Sequence, residues 1–202
     1  MGEDNTVVAA AHHNASAMFD RSYVHSLNDK LRIMDVHEEF YSPYLAKVPE
    51  QGLMQAFRTN MEDCLQLFNG LDEEQSLFRY AEGKWSIREI LGHLTDAERV
   101  FAYRAMAFAR GEVQALPGYD ENLYAKKSNA HERSLKDHIS EFESVRRSTI
   151  LLFEGFDPLM FSITGTMSGH STSVQNIGRM IVGHCMHHLE VLKELYVSKL
   201  VV

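Results

Sequence analysis

Three histidines, His184, His187 and His188, fall within five positions of "GHCMHHLEVLKELY" (183–196) and carry the most evident chemistry of this sequence. Turning each residue about 100° along a helix puts Ile177, Ile181, His184, His188, Leu192 and Leu195 on one face. His187 falls at the edge of that face, nearer Met180 and Glu194. His184 and His188 therefore sit inside an apolar stripe. A neutral imidazole carries one donor and one acceptor. Leaving either unpaired in a core costs about 1–3 kcal/mol, a large share of a net stability of about 5–15 kcal/mol. Either core carboxylates or waters bond these rings, or a metal ion takes both, since histidines at i, i+4 can present their rings to one ion.

A third imidazole extends the pattern. His93, in "LGHLTDAE", lies beside the apolar stripe of another helix, on the side of Ala97, Val100 and Arg104. Metal sites in bundles are assembled from inward side chains on facing helices. His93, His184 and His188 are thus a candidate ligand set of three neutral nitrogens. It leaves at least one position open, the pattern of a catalytic or ligand-binding metal. Zinc, nickel, copper and iron all suit such a set. The glutamate of the zinc-protease motif H-E-x-x-H is missing, because Cys185 stands in its place. Cys185 is offset from its neighbours and reads as a packing thiol. No G-x-S-x-G, phosphate loop or dinucleotide fingerprint is present, and "GKWS" (83–86) reads as a helix entry.

The elements that must position these residues are helical. Residues 51–71 carry Leu53, Met54, Phe57, Met61, Cys64, Leu65 and Phe68 at helical spacing. In "WSIREILGHLTDAERVFAYRAMAFARGE", Ser86 and Glu89 form a capping box and Gly111 marks the stop. A third helix opens at Ser134 and ends near Gly155; a fourth starts near Ser173 and runs almost to the last residue. The connections "EVQALPGYDENLYAKKSNAHER" and "FDPLMFSITGTMSGHST" have no helical period, and loops of such length are usually functional or mobile. Strand-like alternation and internal repeats are absent. The expected fold is all-α: a four-helix bundle with long connections between helices 2–3 and 3–4. It should occupy residues 34–202, preceded by an N-terminal tail, 1–33, without sustained period and expected to be mobile. The pair His12–His13 and His25 lie in that tail.

Composition narrows the function classes. An apolar share of 45% in 202 residues suffices for one globular core. A formal charge of −8, with no long basic run, argues against nucleic-acid binding. No apolar run approaches a membrane span. Two cysteines make no disulfide framework, so a reducing cytoplasm is the expected setting.

The segments "YAEGKWSIREILGHLTDAERVFAYRAMAFARGE", "LPGYDENLY" and "VGHCMHHLEVLKELY" together resemble the DinB-like (DinB/YfiT) superfamily of metal-binding four-helix bundles, over roughly residues 34–202. The resemblance implies a divalent metal, commonly zinc or nickel, held by His93, His184 and His188, with water completing the sphere and His187 outside it. Family members include enzymes that use low-molecular-weight thiols such as bacillithiol or mycothiol, and others described as metal-dependent hydrolases.

Three functions are consistent with these residues. The first is a metal-dependent transferase that binds a small thiol, lowers its pKa and holds the thiolate for attack on an electrophile. The loop carrying Tyr119, Asp120, Glu121 and Tyr124 would shape the pocket mouth, and Arg104 would pair with a carboxylate of substrate or protein. The second is hydrolysis by a metal-activated water, with Asp96, Glu89, His131 or His187 as assisting groups and Asp96 or Glu89 as alternative orienters of an imidazole. The third is a non-catalytic, metal-stabilised bundle forming a homodimer through exposed helix faces. A small-molecule substrate is the expected partner in the first two.

Overall fold

The computed structural model describes residues 41–200; the expected tail (1–33), with His12, His13 and His25, and residues 34–40 lie outside the described residues. The chain enters through a single helical turn, α1 (Ser42–Leu45), and then forms α2 (Leu53–Asn69), α3 (Ile87–Ala109), α4 (Glu121–Lys127) and α5 (Leu135–Glu154). A hairpin of β1 (Thr164–Met167) and β2 (His170–Ser173) leads into α6 (Val174–Val191). A wide π-type turn over Leu192–Val197 and a last short helix, α7 (Ser198–Leu200), follow. The four long helices α2, α3, α5 and α6 are the expected bundle, with α3 packed on α5 and α6, and α2 on the same pair. No helix among the described residues is long and apolar enough to cross a membrane.

Side-chain caps start three of these helices where the sequence places them. Ser86 Oγ accepts from Glu89 N at 3.2 Å, while Glu89 returns a carboxylate oxygen to Ser86 N at 2.7 Å. Two of the donors a helix start leaves unpaired are thereby satisfied. Ser134 caps α5 through Asp137 N, and Ser173 caps α6 through Asn176 N. Past the end of α3, Gly111 takes φ 90°, a left-handed conformation that suits glycine.

Two expectations are corrected. The first connection is not wholly irregular, because Asp120 caps the two-turn helix α4 by accepting from Leu123 N at 3.0 Å. Seven residues are too few to display a period, and only the cap betrays them. The second connection holds strands despite the lack of alternation: Thr164 pairs with Ser173 and Met167 with His170, antiparallel. Its turn residues Ser168 and Gly169 have φ of 52° and 83°, as a two-residue primed turn requires. The strands are short and rich in Gly, Ser and Thr, so turn geometry rather than hydrophobic pattern defines them.

The core falls into two clusters. One gathers Phe57, Phe101, Phe108, Phe153, Ile177 and Ile181; the other gathers Phe68, Leu91, Leu94, Phe142, Leu189 and Tyr196. Arg146, fully buried, spans the two, with its guanidinium 5.6 Å from the Phe57 ring and 5.3 Å from that of Phe142. Its Nε donates to both Glu98 carboxylate oxygens (2.8 and 2.9 Å) and its Nη1 to Asn60 Oδ1 (2.8 Å). Burial works against the guanidinium charge, but the adjacent Glu98 more than offsets it and Arg146 stays ionised.

The wide turn after α6 alters the predicted stripe. Leu192 is buried, but the extra residue in the turn rotates the following face, so Tyr196 rather than Leu195 points fully inward. Its hydroxyl donates to Trp85 O at 2.9 Å and so ties the chain end to the entrance of α3.

Candidate metal centre

α3 and α6 bring His93, His184 and His188 together. His93 Nε2 lies 3.0 Å from His184 Nε2, and His188 Nε2 lies 3.1 Å from the same atom. One ligand atom from each residue falls within 4.8 Å of the others. Tetrahedral coordination with metal–nitrogen bonds of about 2.0–2.1 Å puts its nitrogens roughly 3.3 Å apart, so the spacing is close to what a shared ion needs.

Ordinary hydrogen bonding accounts poorly for this contact. A neutral ring offers at Nε2 either one N–H or one lone pair. His184 Nε2 meets two imidazole nitrogens at once and can pair with only one of them. The rings are neutral near pH 7. Burial pushes His93 down to about 4, and burial with the neighbouring His93 and His187 pushes His188 to about 3. Burial first, then the three surrounding histidines, holds His184 well below its ordinary value. Three lone pairs converging on one buried point are a suitable donor set for a divalent cation.

Packing fixes the rings. Trp85, just before the α3 cap, lies 4.8 Å from the His93 ring, and Tyr44 meets His184 edge-on at 5.4 Å. Tyr44 reaches that position because residue 183 has no side chain: a Cβ there would stand 2.1 Å from Tyr44 O. His187 faces Tyr44, ring to ring at 5.7 Å, outside the cluster. Cys185 turns to the opposite side, with its Sγ 3.0 Å from Cys64 Sγ, in accord with a packing role.

Beside the cluster is a cavity of about 390 Å³. Buried His184 contributes to its floor; Tyr41, Tyr44, Phe101 and Tyr119 to its walls; and exposed Asp120 and Glu121 to its rim. Arg104 and Ser168 line it as well. Burial, reinforced by Glu121, pushes Tyr119 up to about 12 and raises Tyr44 too, so both phenols keep their protons at neutral pH. The expectation that the 119–124 loop shapes the mouth fits its first three residues. Tyr124 instead packs against Tyr119 at 5.0 Å and is half exposed.

The groups weighed as assistants lie elsewhere in the bonding pattern. Glu89 serves the α3 cap and pairs with Arg79 and His131, while Asp96 pairs with Arg99. Tyr41, Tyr44 and Ser168 have no assigned part in the sequence reading, and Phe101 reads there only as a member of the apolar stripe of its helix. For Tyr44 a signal existed in Gly183, a residue that suits close backbone approach, directly before His184. Tyr41 and Ser168 arrive through tertiary packing that no local pattern announces.

Fold and site together define a helical bundle with a largely buried three-histidine cluster, one member of which, His184, lines a cavity of small-molecule size. The DinB superfamily profile matches residues 56–192, and the chain belongs to that family. Among solved structures, YfiT from Bacillus subtilis is described as a probable metal-dependent hydrolase with an unusual four-helix bundle topology. It aligns with a TM-score of 0.66 at 17% identity, over 72% of this chain and 85% of its own, a likeness of fold. No curated protein is similar enough in sequence to match.

Proposed function

We propose that the chain is a metal-dependent transferase. In this reading His93, His184 and His188 hold a divalent transition metal, zinc or nickel first, and a low-molecular-weight thiol is joined to an electrophilic small molecule. The observation that carries it is the meeting of three neutral imidazole nitrogens at one point beside the cavity. A divalent cation supplies Lewis acidity there, drawing down the pKa of a thiol from about 8.5.

The chain's own residues bind and orient. Aromatic walls line the cavity, Tyr119 and Tyr44 offer hydroxyl protons, and Arg104 supplies a positive charge. Thiol chemistry makes a modest demand on such a site, since a thiol that ionises readily needs no strong base. A second reading, hydrolysis, draws support from the carboxylates Asp120 and Glu121 on the same cavity, either of which could accept a proton from water. The description of YfiT is in keeping with it.

Elemental analysis of purified protein beside a His188→Ala variant tests the ligand set. Close to one transition metal per chain, largely lost in the variant, is expected; equal content in both overturns the assignment. Metal-loaded protein with a panel of biological thiols and monochlorobimane then tests the reaction. Conjugate formation supports transfer, and thiol-independent ester or amide cleavage supports hydrolysis. Neither activity, with metal removal lowering stability only, leaves a metal-stabilised bundle.

A further inference from the structure

Three arginines are buried among the described residues: Arg88, Arg104 and Arg146. Arg88 pairs with Glu73 and Arg146 with Glu98. Arg104, only 3% exposed, has no carboxylate partner among the described residues. Its Nη2 donates to Pro117 O (2.7 Å) and Ser168 Oγ (3.2 Å), its Nη1 faces Met167 Sδ (3.8 Å), and the Tyr41 side chain is a further hydrogen-bond partner. All of these are neutral, and thioether sulfur is a weak acceptor. A buried cation without an anion is costly unless an anion arrives. The cavity this cation shares with His184 is also lined by Phe101, whose ring stands 5.6 Å from the guanidinium carbon and 6.5 Å from the His184 ring.

The rim has the opposite sign. Asp120 and Glu121, both exposed, would repel a plain anion on its way to Arg104. A molecule carrying both charges avoids the conflict, and a cavity of about 390 Å³ is of small-molecule size.

We infer that the cavity takes a zwitterionic, amino-acid-like ligand: a carboxylate on Arg104, an ammonium towards Asp120 and Glu121, and the reactive end facing His184. Combined with the transfer reading, on which this naming of the substrate rests, the thiol is a cysteine-like amino acid or a compound that presents one. Arg104 suits a carboxylate because its Nη1, set against only a weak thioether acceptor, keeps donor capacity for a charge-assisted bond.

The test is calorimetric titration of the metal-loaded protein with L-cysteine, with cysteamine, which lacks the carboxylate, and with 3-mercaptopropionate, which lacks the ammonium. The thiol is common to all three, so differences report the other two groups. Cysteine is expected to bind at least about tenfold tighter than cysteamine, the scale of one charge-assisted hydrogen bond. In Arg104→Gln that ratio is expected to fall towards one, with metal content unchanged. In Glu121→Gln, at the exposed rim, the preference for cysteine over 3-mercaptopropionate is expected to shrink. Equal binding of cysteine and cysteamine by the native protein, or an undiminished ratio in Arg104→Gln, overturns the inference. A merely structural Arg104 would lower the melting temperature and leave the ratio intact. Should Arg104→Gln fail to fold, the native ratio and the Glu121→Gln result decide. L-serine against ethanolamine, on metal-free protein, separates the two ideas. A carboxylate preference there sustains the zwitterion site even where thiol transfer has failed, and no preference removes it.

Discussion

Acidifying the metal-free protein tests whether three neutral imidazoles share one buried point. In the unfolded chain each histidine titrates near 6.5. In the fold His93 is held at about 4 and His188 at about 3, chiefly by burial, and His184 is displaced the same way. Between these limits the unfolded state binds protons that the folded state refuses. Stability is therefore fully present above about pH 6.5 and declines as the pH falls through 6.5 towards the folded values. Each group contributes about 1.4 kcal/mol per pH unit, so His93 and His188 together remove roughly 4 kcal/mol by pH 5. His184 adds to the loss. Glu89 and Glu141, whose hydrogen-bonding and arginine partners outweigh burial and lower their values, lose their contributions only below the ordinary glutamate range, outside this window. A domain stable by about 5–15 kcal/mol should show such a loss plainly. Urea unfolding of chelator-treated protein, followed by far-ultraviolet circular dichroism at pH 7, 6 and 5, is the assay. A midpoint that stays constant from pH 7 to 5 refutes the reasoning. Zinc added at pH 7 should raise the midpoint by mass action, and much less in His188→Ala.

Other perturbations address the frame. Glu98→Ala strands the Arg146 charge in the core and should cost about 3–5 kcal/mol by urea unfolding; replacing both partners with apolar residues should recover much of it. Gly183→Ala sets a methyl group 2.1 Å from Tyr44 O. A loss of about 1–3 kcal/mol is expected, with faster proteolysis within residues 41–48. Ser86→Ala removes half of the capping box and should cost about 1 kcal/mol, read from the same urea curves.

The long helices were legible because their signals are local. Ser86, Ser134 and Ser173 mark starts through caps, and periodic apolar residues fill the lengths between. The histidine trio was legible for a related reason: polar rings on an apolar face demand a partner, and two such faces can supply one another. What stayed hidden depends on distant contacts. The buried pair of Glu98 and Arg146 interrupts no pattern that marks it, since each looks like a surface charge until α3 and α5 meet. The hairpin rests on two positive φ angles, and α4 on one aspartate. The inward turn of Tyr196 follows from a single extra residue in the last helical stretch, which a fixed 100° step cannot foresee.

The bare backbone at Gly183 makes the ceiling and the base of the cavity a single mechanical piece. Arg179, one turn earlier on α6, grips Leu45 O at 2.9 Å and Val48 O at 3.0 Å, and Lys47 reaches Glu190 on the same helix. The entry segment is thus hung from the helix that carries two of the imidazoles. Tyr44 and His184 therefore share one support, and the space between them is fixed within α6 and its polar contacts to residues 45–48.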